Sequence, residues 1–519
     1  MHPRTRSQLA LQSTLVLAGA MLALPTSADT LYVDPRGGDD LVGDGSAAAP
    51  WKTLTHTMSQ LPPGPNTVQL AAGVFAETSG EVFPIFVPAT YDIEFLGNPG
   101  GGSILRSATG IGRLRINIDD SPRPLEATTV RIRDLEFDGA GIEGSGATVG
   151  LTIDLARVDF HDTLHSGIWI NSLFEASLQI VGRDCTFERC AEAVSILAGP
   201  LGTSSIRLHD STIRDCTVGA YAEGFTAGPG SGNASVLLTR CEVRGCAVGT
   251  QAYGDPDGAG AALGAITAFD TVIAQNEVGF RGTDIANLEL IRSTLAGNTV
   301  GVDAMGQDPT AVWVLSFSSV IWGNGFDLDP VNAILSIYSN LPPGISGTGV
   351  TNVDPLFVDA PGGDFHLRSD SPLIDAGDPS EAPNDLFESD LDPRLIDGDF
   401  NGAARVDMGY DEWNPVQLDL VGPPQIGASV TFKTSAPAVA SYALLISLAR
   451  AQEPLGAPGA ILIGLGEAFV LATGPTPGND VVAIPADVAL VGLKLFTQGY
   501  VAGQGQAGLT NRVDLTIAP

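Results

Sequence analysis

Lysine is almost absent from this chain of 519 residues, and positive charge of any kind is scarce. The three lysines are Lys52, Lys433 and Lys494, and lysine and arginine together number 26 against 59 aspartates and glutamates, for a net charge of −33. A surface with this charge repels phosphate backbones and anionic lipid headgroups. We therefore expect neither nucleic acid nor an anionic membrane surface among its partners.

The chain also lacks a long hydrophobic run beyond its first 28 residues. That opening part carries Arg4 and Arg6, continues through an apolar stretch at 9–24 and ends on small residues at 26–28. This order is typical of a secretory signal peptide, whose apolar region is shorter than a membrane-spanning helix. The sequence thus predicts a protein that is secreted or held at the cell surface, with no membrane span in its mature form.

Cysteines are few and confined to residues 185–246. Five thiols so closely grouped do not make the distributed disulfide framework of a small secreted domain. Cys190, Cys216 and Cys246 share one position of a repeat whose later units carry asparagine there. We interpret them as buried free thiols that continue into an asparagine ladder, and one disulfide between neighbouring units is the alternative for an exported protein.

A seven-residue phrase recurs along the middle of the chain, and its last residues are 26, 30, 30, 22 and 26 positions apart. A unit of this length, built of β-type residues with small turn residues between, buries its apolar side only by stacking on its neighbours. The pattern predicts an all-β solenoid of parallel coils. The phrases are residues 184–190, 210–216, 240–246, 270–276, 292–298 and 318–324.

Period-two alternation within these phrases assigns their side chains to two faces. We expect one inward column of large apolar residues and, two positions earlier, a second inward column of small residues. A glycine also recurs three positions after each of four phrases, where a turn is expected. The large column is Phe137, Phe160, Phe187, Ile213, Val243, Ile273, Leu295 and Ile321; the small one is Cys185, Ser211, Cys241, Thr271, Ser293 and Ser319; the glycines are Gly219, Gly249, Gly279 and Gly301.

Changes in composition and sequence pattern divide the chain into four parts. Residues 1–28 form the signal peptide, 29–127 an N-terminal cap with the first coils, 128–414 the coils and a closing segment, and 415–519 a small β-sandwich. The cap contains the only convincing helix, at 52–61, which would cover the otherwise open end of the solenoid.

The coils resemble the right-handed parallel β-helix repeats of the pectate-lyase-like superfamily. The entry module resembles the DUF1565 family in three phrases, Tyr32–Asp40, Pro50–Thr55 and Ala71–Phe75. The resemblance implies a capped right-handed parallel β-helix in an exported protein. It implies an activity only weakly, because these families include many non-catalytic surface proteins.

Outward positions of the first coils group three carboxylates with a histidine. Asp138, Asp159, His161 and Glu188 fall on neighbouring strands about 4.8 Å apart. A histidine between carboxylates fits a general base, and Asp138 and Glu188, about 10 Å apart, lie near the wide limit for inverting glycoside hydrolysis. Ordinary cross-strand charge pairing on a solenoid face produces the same pattern.

Residues 397–402 resemble the start of a calcium loop, with oxygen ligands at alternate positions and glycine at the sixth. The ligands would be Asp397, Asp399, Asn401 and Asp407, the last lying one place before the usual twelfth position. Calcium is therefore the one cofactor that the sequence suggests, and a tight turn without metal is the alternative.

Two classes of function agree with these patterns. We favour a secreted or surface-exposed protein, monomeric, that binds extracellular polysaccharide or cell-surface components or serves as a structural or adhesive module. The alternative is a polysaccharide lyase or glycoside hydrolase with its site on an outward strand face.

Overall fold

A computed structural model describes residues 29–88, 92–117, 128–146, 150–172, 177–227, 230–256, 262–306, 311–329, 333–381, 395–398, 404–436, 440–454, 460–503 and 506–519. The predicted signal peptide, residues 1–28, lies outside this part. Within it the chain forms a parallel β-solenoid of about nine turns followed by smaller antiparallel sheets, which confirms the predicted β-helix with a small sandwich at its end.

Two parallel sheets form the walls of the solenoid. The first, of 20 strands, comprises two strips, because most coils contribute one longer and one short strand to it. Its strands are β1 (Asp29–Val33), β2 (Asn66–Leu70), β3 (Gly73–Ala76), β5 (Ile93–Leu96), β6 (Ser103–Arg106), β8 (Thr128–Asp138), β10 (Leu151–His161), β12 (Leu178–Arg183), β13 (Thr186–Glu188), β15 (Thr203–His209), β16 (Thr212–Arg214), β20 (Asn233–Thr239), β21 (Glu242–Arg244), β23 (Leu263–Phe269), β24 (Val272–Ala274), β26 (Ala286–Ile291), β27 (Thr294–Ala296), β29 (Val312–Phe317), β30 (Val320–Trp322) and β32 (Ala333–Ile337).

The second sheet has ten strands, stacked in chain order along the solenoid. They are β4 (Ile85–Pro88), β7 (Gly112–Asn117), β9 (Ala140–Gly146), β11 (Ser166–Ser172), β14 (Glu192–Ala198), β17 (Val218–Gly224), β22 (Val248–Gly254), β25 (Val278–Asp284), β28 (Val300–Met305) and β31 (Phe326–Asp329). A short hairpin, β18 (Thr226–Ala227) with β19 (Gly230–Ser231), projects from one coil.

The recurring phrase corresponds to a three-residue strand held between two sharp corners. Asp184 and Arg189, the first and sixth residues of one phrase, both have φ of 53°, and the strand Thr186–Glu188 lies between them. This left-handed conformation recurs at both positions in the later phrases, where residues without glycine's freedom adopt it repeatedly. The first positions are Asp210, Arg240, Asp270, Arg292 and Ser318; the sixth are Asp215, Gly245, Gln275, Gly297 and Gly323.

The predicted inward columns are confirmed. All eight large residues are at most 1% exposed, and Phe137, Phe160 and Phe187 stack with ring centroids 4.8 and 4.9 Å apart. Such stacking adds about 0.5–1.5 kcal/mol per pair beyond the burial of the rings. The six small residues of the second column are buried as well.

The position that ends each phrase forms a continuous ladder. Asn298 accepts hydrogen bonds at Oδ1 from the backbone N–H of Asn276 at 2.9 Å and from its side-chain amide at 3.0 Å. Asn324 accepts in the same way from Asn298. All five cysteines are buried free thiols, as interpreted from the sequence.

The N-terminal cap contains the predicted helix, shorter than expected: α1 spans Leu54–Ser59. Its first amides are held by Glu81, which accepts from the N–H groups of Leu54 and Thr55 at 2.7 and 2.9 Å. Burial raises the pKa of Glu81, although its hydrogen bonds with Thr55 and Leu54 oppose that shift. Leu54 and Met58 are buried in the solenoid core, so the helix closes one end of the stack.

A closing segment after the last coil folds back over the first sheet. Its hairpin, β33 (Phe357–Asp359) and β34 (Asp364–Leu367), places Phe365 against Val272, Ala274 and Ala296. Outward positions of these strands are apolar and buried, because the closing segment covers them. Leu367, Leu373 and Met408 form the same kind of contact with Val320.

The C-terminal region has its own core between two antiparallel sheets. One sheet consists of β35 (Gln417–Val421), β36 (Ser429–Ser435) and β41 (Gly478–Ala483), and the other of β40 (Phe469–Pro475), β37 (Ser441–Ser447), β42 (Lys494–Gly503) and β43 (Gln506–Thr516). A separate pair of strands joins β38 (Arg450–Pro454) to β39 (Ala460–Ile463), and single 3-10 turns occur in this region at Leu465–Glu467 and Val488–Leu490. A further 3-10 turn, Glu77–Ser79, lies in the N-terminal cap. The exact domain boundaries stay a prediction.

Removing one rung of the asparagine ladder should destabilise the solenoid. In Asn298→Ala the two donors of Asn276 lose their acceptor, so we expect the free energy of unfolding to fall by about 2–4 kcal/mol. Urea unfolding followed by circular dichroism measures this. Asn287→Ala, at a half-buried outward position of the same sheet, is the matched control and should change stability by less than about 0.5 kcal/mol. Equal effects in the two variants would show that the ladder contributes nothing.

Candidate functional site

The strand register brings three of the four predicted catalytic residues into one row. His161 on β10 lies opposite Asp138 on β8 and opposite Glu188 on β13. Asp159 lies in the neighbouring row, between Glu136 and Thr186. The row and its neighbour are therefore arranged as the alternation predicted.

His161 sits between carboxylates and hydrogen-bonds two of them. Its Nε2 is 2.9 Å from Glu136 Oε1, and its Nδ1 is 2.9 Å from Asp162 Oδ2 and 3.7 Å from Asp138 Oδ1. Partial burial alone would lower the pKa of His161, but the hydrogen bonds to Glu136 and Asp162 outweigh it and the pKa is raised. These hydrogen bonds thus stabilise the protonated imidazole relative to a free histidine.

Arginines from adjoining positions already bind the carboxylates of this row. Arg106 pairs with Asp138, and Arg189 contacts both Glu188 and Asp162, the latter at 2.7 Å. The bonds from Arg189 and then His161 lower the pKa of Asp162 to about 2. These partners were not predicted from the sequence, although Asp162 and Arg189 directly follow His161 and Glu188 of the row.

Ligand atoms of Asp138, His161 and Asp162 lie within 4.8 Å of one another, a spacing compatible with a metal ion. The arginine contacts compete with such an ion because they neutralise the same carboxylates. Asp159 is exposed and forms no hydrogen bond or ion pair within the described chain. Together these contacts favour a cross-strand ion-pair network, and a catalytic role for the four residues stays a prediction.

The predicted calcium turn is only partly described, since Asp399 and Asn401 lie outside the described residues. Asp407 is buried, and its carboxylate accepts backbone N–H groups of Asp375 at 2.6 Å and Trp413 at 2.7 Å. These bonds give Asp407 a structural role in the closing segment. Calcium binding there, with Asp397 as a further ligand, stays a prediction.

A cavity of about 550 Å³ opens where the closing segment meets the first sheet. Its walls include Glu242 and Arg244 from β21 and His366 and Tyr410 from the closing segment. Glu242 pairs with Arg214 and Arg244, so the charged groups there are also matched to one another.

The second sheet presents a different outward surface, with aromatic rings among polar side chains. One register column crosses its strands and contains Trp169 and Tyr221, separated by a single small residue, Ser195. Trp169 and Tyr221 are each half-buried. The full column runs Phe86, Arg115, Glu143, Trp169, Ser195, Tyr221, Gln251, Arg281, Asp303 and Asp329.

A groove runs along the first strands of this sheet. Two cavities of about 540 and 380 Å³ adjoin there and share Ile111, Arg113 and Arg115 as lining residues. The smaller cavity extends to Trp169 and Glu192. Such volumes lie in the range of small-molecule and oligomer sites.

Hydrogen bonds fix the polar side chains of the groove. Arg115 is 2.8 Å from Glu143, Arg113 donates to the carbonyl of Ser166 at 2.9 Å, and the Ser166 hydroxyl donates to Glu192 at 2.7 Å. Burial lowers the pKa of Arg113, while the charges of Glu143 and Glu192 oppose that shift.

Farther along the column, the Tyr221 hydroxyl donates to Glu223 at 2.6 Å. Burial and this carboxylate raise the pKa of Tyr221, so its phenol remains a donor.

This surface was not predicted, although the sequence contains a signal for it. From Trp169 onward, most residues of the column stand two positions after a glycine, as in Gly167–Trp169 and Gly219–Tyr221. The recurring glycines at 219, 249, 279 and 301 were expected at turns, but each is the second residue of a strand of the second sheet, in β17, β22, β25 and β28. Alternation from them predicts which side chains of these strands point outward.

Comparison with known proteins gives limited information about activity. Residues 36–113 match the model of a family described as a protein of unknown function, DUF1565. No curated protein matches the chain. A solved structure titled GH136 lacto-N-biosidase from Eubacterium ramulus is 13% identical over 60% of this chain and 59% of its own length, with a TM-score of 0.29. The family match, together with the solenoid, confirms the expected β-helix with a DUF1565 segment.

The raised pKa of His161 predicts a pH-dependent contribution to stability. A histidine whose pKa is raised on folding stabilises the folded state below its unfolded pKa of about 6.5, and this contribution disappears as pH rises through the folded-state pKa. We expect the difference in Tm between wild type and His161→Asn to be largest near pH about 5.5 and to shrink by pH about 9. Thermal unfolding across this range measures it.

Thr186→Ala serves as the control, because it changes an exposed, non-titrating side chain on the adjoining strand. Its effect on Tm should be independent of pH. A His161→Asn difference that grows as pH rises would contradict the assignment of a stabilising imidazolium.

Proposed function

We propose that this protein is exported and binds extracellular polysaccharide through the groove and aromatic column of the second sheet. The observation that carries the proposal is the column itself, in which Trp169 and Tyr221 lie in register beside fixed carboxylates. Sugars present both apolar C–H faces and hydroxyl edges, so they match a surface that alternates rings with acceptors.

The spacing of the rings also suits a glycan chain. Trp169 and Tyr221 are two strands apart, which corresponds to about 10 Å because adjacent strands lie about 4.8 Å apart. This is comparable to the length of two linked hexopyranose rings. Ser195, the residue between them, is small and buried, so it places no side chain of its own in the path of a ligand.

The fixed polar groups supply the specificity that rings alone lack. Glu192 and Glu223 each accept one hydrogen bond from a neighbouring hydroxyl. Because a carboxylate has about four lone-pair sites, each retains capacity to accept bonds from sugar hydroxyls. The preformed network also limits the entropy lost on binding.

Other observations agree with an exported binding protein. Among the described residues no helix has the length and hydrophobicity needed to cross a bilayer. The groups of the predicted catalytic row are bound to one another and to arginines, as cross-strand charge pairing on a binding surface would produce.

Replacing the central ring should weaken glycan binding. In Trp169→Ala we expect affinity for a bound polysaccharide to fall about tenfold, the equivalent of about 1.4 kcal/mol. The matched control is Trp313→Ala, which removes a tryptophan that is 51% exposed on the other sheet. Affinity electrophoresis or calorimetry with the chain lacking residues 1–28 measures both, and equal losses would contradict the placement of the site.

The polysaccharide panel should be tested with calcium and with chelator, following binding, new reducing ends and the ultraviolet absorbance of unsaturated products. We expect binding without cleavage. Cleavage that disappears in Asp138→Asn or His161→Ala would instead establish a hydrolase or lyase at the predicted row. A lower Tm in chelator would support calcium at the turn that contains Asp397 and Asp407.

A further inference from the structure

The charges along the second sheet indicate which polysaccharides the groove accepts, an inference that rests on the function proposed above. Three arginines face this surface in the described chain. Arg115 is bound to Glu143, Arg281 is bound to Asp303 at 2.9 Å, and Arg113 donates to a backbone carbonyl. Each arginine thus has a protein partner, and two of the three are neutralised by a carboxylate.

The carboxylates on the same surface are less fully neutralised. Glu192 and Glu223 accept hydrogen bonds from the hydroxyls of Ser166 and Tyr221, which leave their negative charge in place. Arg113 lies near Glu192, and Glu223 is bound by a phenol that stays protonated. A polymer bearing a carboxylate on each sugar would therefore meet like charge along the groove.

The composition of the whole chain acts in the same direction. The net charge is −33, and the coils contain no lysine that could move to meet an anionic ligand. A polyanion approaching this protein is repelled at long range, and the repulsion weakens as salt is added.

We propose that the groove binds uncharged glycan chains, lying along the solenoid axis across Trp169 and Tyr221, and disfavours polyuronates. Recognition uses ring stacking and hydroxyl donation to Glu192 and Glu223. An anionic polymer would place carboxylates, which only accept hydrogen bonds, opposite the carboxylates of the protein, which also only accept them, so no hydrogen bond could form between the two.

Pairs of polymers that share a backbone and differ in charge test this directly. One pair is homogalacturonan in its methyl-esterified and de-esterified forms, and the other is a neutral β-glucan and its carboxymethylated derivative. We expect the neutral member of a pair to bind at least about tenfold tighter at low ionic strength, with the gap narrowing in concentrated salt. Calorimetry with the mature chain measures the affinities.

Charge variants separate this effect from the long-range charge of the protein. Glu223→Lys should raise the affinity for the anionic member of a pair several-fold and lower that for the neutral member. Glu289→Lys, an outward, half-buried glutamate on the first sheet, changes the net charge equally and should do neither. Glu223→Gln keeps the shape and checks that any loss comes from charge.

The two proposals fail in different ways. Tighter binding of the anionic member, abolished by Trp169→Ala, would overturn the preference for neutral chains and leave polysaccharide binding in the groove intact. Retention of neither member of either pair, nor of any polymer in the wider panel, would overturn both.

Discussion

Stacking in register is the constraint on which the rest of this structure depends, because each side chain meets the equivalent one of the next coil about 4.8 Å away. Like charges cannot occupy such a column without cost, whereas opposite charges stabilise it. Most of the left-handed corners show the consequence. Arg240 binds Asp210 at 2.6 Å and Arg292 binds Asp270 at 2.8 Å, so acid and base alternate at the corners from Asp210 to Arg292.

The same constraint bears on the change from cysteine to asparagine in the inward ladder. Both residues fit the confined space beside a corner, but asparagine bonds to its copies above and below with a strong donor and acceptor, whereas a thiol is weak in both roles. The backbone amide of Cys246 donates to Asn276 Oδ1 at 2.9 Å, so the two kinds of rung join without an unsatisfied group. Coil lengths differ because loops outside the strands absorb the variation.

Much of the fold follows from local periodicity and could be predicted from the sequence. Phe160 and Ile273 lie inward because alternation within the phrase requires it, and the row of Asp138 and His161 follows from the same rule. Contacts between distant parts of the chain could not be predicted. The closing segment covers Val272 with Phe365 from 93 residues away, and no local pattern indicates which face a returning segment will cover.

The candidate site shows that the function of a strand row cannot be inferred from its own residues alone, because side chains from adjoining positions bind them. His161 and its carboxylates look catalytic in isolation, yet Arg106 and Arg189 reach them from adjoining positions and satisfy them. Trp169 and Tyr221 have no equivalent ring on the strand between them, so stacking within the column cannot account for their presence. Both rings are partly buried and lie in register beside hydrogen-bonded carboxylates, an arrangement that stacking of the coils does not require. The proposed binding of a glycan, which has apolar faces and hydroxyls, gives these rings a role.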